Sequence, residues 1–157
     1  MDFFSQTYLA LRGPTGAQQS PSETIEKLSD RLSPSTLLAD RRAAVLALEG
    51  LVRDHKAEVG SRALVLGLIQ VLQDDADTDL DMGKAVLETA NILCEVDDAP
   101  KEKEHEKELG LRHMDYFLHS EQSSHTLFEL LGSSQFYVRF TTLQLLSTLL
   151  HNWRFVV

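Results

Sequence analysis

At 157 residues, the chain is long enough for one core-bearing domain and too short for two of ordinary size, and a hydrophobic content of 43% excludes a mainly disordered chain. The net charge of −9 is unevenly placed: Asp74 to Asp81 holds five acids and no base, Glu95 to Glu108 holds seven acids against three lysines, and the remainder balances 12 acids with 12 bases. With acidity confined to two segments and no basic stripe to follow a phosphate backbone, the composition argues against nucleic-acid binding.

Residues 3 to 11 predict a short helix with Phe3, Phe4, Tyr8 and Leu11 near one face, ended by Gly13-Pro14-Thr15-Gly16. Residues 13 to 21 read as a flexible linker. Ser22 is the expected N-cap of a helix reaching about Leu32, with Ile25, Leu28 and Leu32 on its buried side and Pro34 ending it. From about Leu37 to Asp54, the residues Ala44, Val45, Leu48, Leu51 and Val52 fall on one face of a 3.6-residue period. Ser61 to Gln73 repeats the pattern with Leu64, Val65, Leu68, Ile69 and Leu72. Asp79 or Asp81 then caps a helix running to about Val96, which buries Met82, Val86, Ala90 and Leu93.

The acidic segment at 95–110 reads as a solvated loop, with at most partial helix, because so polar a run buries too little surface to offset its ordering entropy. Leu111 to Leu118 is ambiguous. A short helix from about Glu121, marked by Leu127, Phe128, Leu130 and Leu131, stops at Gly132. The last helix, about Phe136 to Trp153, is apolar on two sides: one stripe is Val138, Thr142, Leu145 and Leu149, the other Phe136, Phe140, Leu143, Leu146, Leu150 and Trp153. A helix of this kind is normally sandwiched. The preceding elements cover one side only, so the chain reads as ending inside its solenoid, and one exposing Phe140, Leu143, Leu150 and Trp153 is expected to be marginal or self-associating alone.

Three of these helices carry one repeated pattern, in Asp40 to Leu51, Asp81 to Ile92 and Tyr137 to Thr148. The first two copies start 41 residues apart and the second and third 56, an excess of about 15 that matches the acidic segment. A corrected period of roughly 40 to 47 residues built from paired helices is the armadillo/HEAT signature. The expected fold is therefore all-α, a right-handed solenoid of about three repeats over residues 22–153, preceded by the helix and linker of 1–21 and followed by a tail at 154–157. The Phe3-Phe4 pair would dip into a membrane or partner groove, or, the favoured role, cap the first repeat, since such solenoids need their ends covered.

Candidate chemistry is sparse. Asp77, Asp79, Asp81 and Glu88 stand at positions 1, 3, 5 and 12 of a calcium-binding EF-hand loop, yet position 6 is Met82 rather than glycine, and Met82, Val86 and Leu87 belong to the helical pattern. Capping carboxylates are the better reading, and the calcium module stays as an alternative. His113, His119 and His125 recur every six residues, a spacing that scatters side chains around a helix instead of gathering zinc ligands. Cys94, the single cysteine, cannot form an internal disulfide, fits a reducing compartment and reads as a small buried hydrophobe. No catalytic constellation emerges, so an enzyme is not expected and no cofactor is implied. Arg41, Arg42 and Arg139 open the first and third copies. They would line a groove for an acidic partner, or pair with neighbouring carboxylates and orient helices, the favoured role. No run approaches the ~18 apolar residues that span a bilayer, and Met1-Asp2-Phe3-Phe4 lacks a secretory signal's basic flank. The chain reads as cytoplasmic.

Glu23-Thr24-Ile25-Glu26-Lys27-Leu28-Ser29-Asp30-Arg31-Leu32, then Ser35-Thr36-Leu37-Leu38-Ala39-Asp40-Arg41-Arg42-Ala43-Ala44-Val45 and Glu58-Val59-Gly60, closely resemble the start of the globular head of the general vesicular transport factor family, the long Golgi vesicle tethers. Val71 to Asp75 and Tyr137 to Leu150 continue the resemblance over about residues 20 to 150. It implies the N-terminal part of an armadillo-like head, on a protein peripheral to Golgi membranes that acts without catalysis in ER-to-Golgi and intra-Golgi transport. It further implies a Rab GTPase and membrane-fusion SNAREs as partners, and a homodimer formed by a coiled coil that this sequence lacks. The residues from His151 to Val157 depart from the pattern. The alternative is a generic armadillo/HEAT adaptor for a peptide or protein.

Overall fold

A computed structural model describes residues 19–96 and 104–156. The helix expected at 3 to 11, the linker up to residue 18 and the Phe3-Phe4 pair lie outside those residues, as do 97–103 and Val157. Among the described residues there are helices and no strand: α1 (Pro21–Asp30), α2 (Leu38–Leu51), α3, α4 (Leu80–Cys94), α5 (Glu104–His119), α6 (Glu121–Leu131) and α7 (Phe136–Trp153). Helix α3 joins Lys56–Val59, a π-wound stretch Gly60–Leu68 and Ile69–Asp75 without leaving right-handed helical backbone at the junctions.

The three pattern copies become α2, α4 and α7, which pack side by side with α4 in the middle. A second layer carries α1 on α3, and α3 also meets α6. This is the armadillo-like arrangement the corrected period predicts. One core runs through both layers. Equivalent positions of the copies fill it: Ala44, Ala85 and Thr141; Val45, Val86 and Thr142; Leu48, Thr89 and Leu145, each at most 3% exposed. The threonines enter at low cost because each hydroxyl donates to the carbonyl four residues back: Thr89 to Ala85 and Thr142 to Val138 at 2.7 Å, Thr141 to Tyr137 at 2.5 Å.

Several sequence expectations change. Helix α1 is capped by Ser20, not Ser22: the Ser20 hydroxyl accepts from the Glu23 amide at 3.2 Å, and Glu23 Oε2 accepts from the Ser20 amide at 3.1 Å. Pro21, with no amide proton, fills the first helical position of this capping box. The acidic loop expected at 95–110 is also shorter. Helix α5 begins at Glu104 and continues through the ambiguous 111–118 segment. Its stripe of Gly110, His113, Met114 and Phe117 is buried, and the acids at 104 and 106 sit in the first turn, where the helix dipole favours them. Phe128, grouped with the apolar marks of α6, is 65% exposed, while Leu127 and Leu130 are buried.

His113 shows how closely the layers meet. Its Nδ1 lies 2.7 Å from the Leu93 carbonyl oxygen, and its ring presses onto α3 so tightly that a Cβ on Gly60 would stand 2.0 Å from Nε2. Burial holds the imidazole below its ordinary pKa. Gly60 is thus required by a neighbouring ring rather than by its backbone conformation, which is ordinary right-handed helix. Gly60→Ala, favourable for an isolated helix, is expected to destabilise the protein by about 1–3 kcal/mol through overpacking. Urea unfolding of the two proteins measures it, and unchanged stability would mean that the ring moves aside freely.

Candidate functional site

The sequence-predicted polar residues fall into two groups. At one end of the copy helices, Arg41 makes a two-pronged pair with Asp75 at the end of α3, Nε to Oδ2 and Nη2 to Oδ1 both at 3.0 Å, and Arg41 Nη1 also donates to the Thr36 carbonyl. This pair is largely buried, at 12% and 9% side-chain exposure. Arg42 Nη1 reaches both Asp79 oxygens at 2.8 and 2.9 Å, and its Nη2 reaches Asp81 at 3.1 Å. Asp79 simultaneously caps α4, accepting from the Met82 amide at 3.1 Å. In the third copy, Arg139 Nη1 donates to the Ser133 carbonyl at 2.6 Å. The arginines therefore direct these donors into the chain and join the start of α2 to the turn before α4.

The four candidate metal-ligating residues are not brought together as one set. Asp77 lies exposed on the turn, Asp79 and Asp81 face Arg42, and Glu88 is two turns along α4, 3.7 Å from Lys84 Nζ. The turn Met82 would need in an EF-hand is occupied by α4 itself. Among the described residues, no group of three or more His, Cys, Asp or Glu side chains is placed to hold a metal. His119 and His125 face carboxylates on their own helices, and burial pushes the Cys94 thiol pKa up, leaving it unreactive.

A feature the sequence reading missed is a polar groove of about 430 Å³ across the copy helices, lined by Glu49 within α2 and Arg53 just after it, Glu88 and Asn91 on α4 with Glu95 at its C-cap, and Gln144 on α7. It adjoins a hollow of about 230 Å³ bordered by Glu95, Ser147, Thr148, His151 and Asn152. Thr148 donates to Asn91 Oδ1 at 2.6 Å, and Asn152 Nδ2 to the Cys94 carbonyl at 2.5 Å, tying α7 to α4 along this edge. Desolvation, then the neighbouring Glu88 carboxylate, push the Glu49 pKa up to about 8. The available signal was that Glu88 and Gln144 occupy the same position in their copies of the pattern.

This site offers amide donors, carboxylates and one guanidinium over a rigid base. Such groups suit recognition of a polar chain. No helix among the described residues is long and apolar enough to cross a membrane.

No family model matches the chain. It is 35% identical over 150 residues to the intracellular protein transport protein uso1 of Schizosaccharomyces pombe, covering 96% of this chain and 13% of that protein. It is 36% identical over 138 residues to the human general vesicular transport factor p115, covering 86% of this chain and 14% of p115, and 35% identical over 146 residues to Golgin candidate 6 of Arabidopsis thaliana, covering 87% and 15%. A crystal structure of Uso1-1 superposes with a TM-score of 0.69 at 31% identity, over 83% of this chain and 23% of that one. The chain spans about one-seventh of the length of these full-length relatives.

Two measurements probe the site. Arg41→Ala leaves Asp75 buried without its partner and is expected to cost about 3 kcal/mol, with Arg41→Ala/Asp75→Ala recovering part of the loss; additive losses in denaturant unfolding would mean that the two do not interact. For Glu49, a folded pKa near 8 against 4.5 unfolded means that the folded state binds the extra proton, so its contribution declines as pH rises from 4.5 to 8. Glu49→Gln should flatten that decline and raise Tm most at pH 8, and a Tm gain equal at pH 5 and pH 8 would contradict the raised Glu49 pKa.

Proposed function

By homology over most of its length the chain belongs to the Uso1/p115 family of vesicular transport factors, and on that premise we propose that it is a non-enzymatic protein-binding scaffold, a segment of a vesicle tether in ER-to-Golgi and intra-Golgi transport. The observation that carries this reading is the side-by-side alignment of α2, α4 and α7, which gives the matched segment a continuous surface across successive repeats. Solenoids of this kind use extended surfaces to hold partners. The proposed partners are a Rab GTPase of the early secretory pathway and membrane-fusion SNAREs, and the proposed location is the cytoplasmic face of Golgi membranes, held peripherally. Homodimerisation through a coiled coil belongs to the longer relatives in this reading. The repeats at 22–153 act as the folded unit, with 1–21 and 154–157 flanking it.

A second reading, an armadillo/HEAT adaptor for a peptide, is favoured by the groove itself. Amide side chains such as Asn91 and Gln144 can pair with an extended backbone, and carboxylates beside them with basic side chains. Arg41, Arg42 and Arg139 serve here as positioning residues and not as partner contacts, and no cofactor or metal enters either reading.

Pull-down of GTP-loaded and GDP-loaded early-secretory Rab proteins with this chain, and with a longer relative in parallel, tests the first reading. GTP-dependent retention by both is the expected result. Retention by the relative alone would move the Rab site out of these repeats. A Glu88→Lys/Gln144→Ala variant that abolishes peptide binding while leaving Rab retention intact would favour the adaptor reading for the groove.

A further inference from the structure

A pocket of about 490 Å³ opens between α3 and α5, walled by Ala57 and Leu64 of one helix and by Leu109 and Tyr116 of the other. Its back is closed where the His113 ring meets Gly60, and both of these residues are buried. Ser61 and Arg112, both exposed, stand at its mouth. Except for Ala57, the α3 wall belongs to the π-wound stretch Gly60–Leu68. Such winding is rare and recurs at functional sites.

Charge at this pocket runs against that of the chain. The net charge is −9, yet among the described residues no carboxylate lines the pocket. The two charged groups that act on the His113 ring, Arg112 and Lys56, are both cations. The ring itself is a neutral wall: its Nδ1 is taken up by the Leu93 carbonyl at 2.7 Å, and burial lowers its pKa. We infer that the pocket binds a small apolar anion, a free fatty acid of about ten carbons, with its chain between Leu64, Leu109 and Tyr116 and its carboxylate at Arg112. The volume falls within the ~300–1,000 Å³ of small-molecule sites, whose usual lining is apolar with a few polar groups that fix orientation. A guanidinium at the mouth meets a carboxylate with two parallel N–H donors, and Lys56 adds positive charge nearby. The closed back suits a ligand that ends inside the pocket, and not a peptide backbone that would have to cross it.

Isothermal titration of the full chain with decanoate should show one site with a Kd of roughly 10–100 μM. Decanol, with the same chain and no charge, should bind at least ~10-fold more weakly, and decyltrimethylammonium more weakly still. Arg112→Gln should bring decanoate down to the decanol level and leave decanol unchanged, a split that a general loss of folding would not give. Ser61→Trp, an exposed position whose folding is checked by circular dichroism, fills the mouth and should abolish binding of both. Phosphatidylserine vesicles should not retain the chain. No binding at ~1 mM decanoate, equal affinity for the three head groups, or decanoate binding untouched by Ser61→Trp would each overturn the inference. Retention on the vesicles that Ser61→Trp removes would overturn it too, by assigning the pocket to a bilayer lipid.

Discussion

Helix α4 is the constraint on which the rest of the structure depends. Ten of its residues, from Met82 to Cys94, are buried, which is nearly its whole circumference. A helix apolar around most of its surface cannot sit at the boundary of a small domain, because each exposed large aliphatic side chain would forgo about 1.5–3 kcal/mol of burial. It must have neighbours on every side, and α2, α3, α5 and α7 take those places. The second of the three copy helices is the most deeply buried for this reason: among the described residues it has a copy on each side.

The charged residues follow from the same placement. Successive copies stack through side chains, so their ends meet, and the ends of helices carry unpaired donors and acceptors. Asp79 satisfies a donor at the start of α4 and holds Arg42 at the same time. The first of the two acidic segments is therefore part of the architecture. The second begins as the connection to α5 and then becomes α5 itself from Glu104.

Much of this was legible in the residues. The period, corrected for the acidic segment, located all three copy helices, and the two-sided α7 was read with its bounds as they stand in the structure, Phe136 to Trp153. Which of its two stripes faces the core was left open by the pattern: Val138, Thr142, Leu145 and Leu149 are buried, and the opposite stripe is exposed apart from Leu146, which is half-buried against the core. What escaped was decided by pairs distant in sequence. The Ser20 cap was hidden behind Pro21. Helix α5 looked too polar to order, because its stripe includes a glycine and a histidine whose value lies in meeting Glu95 and Gly60. The groove was invisible for the same reason: Glu49, Glu88 and Gln144 come together only once three copies are stacked.

Asn152 places a constraint on shape. Its amide fastens the last turn of α7 to the last turn of α4, while Arg42 fastens the first turn of α2 to the first turn of α4. The stack is thus stitched at opposite ends on its two sides. Side-chain volume sets how far apart neighbouring helices lie, but these stitches set how much each is rotated against the last. The curvature of the ribbon, and with it the width of any concave surface, is consequently written in a few polar side chains at helix ends, where substitution can bend the ribbon without touching its apolar interior.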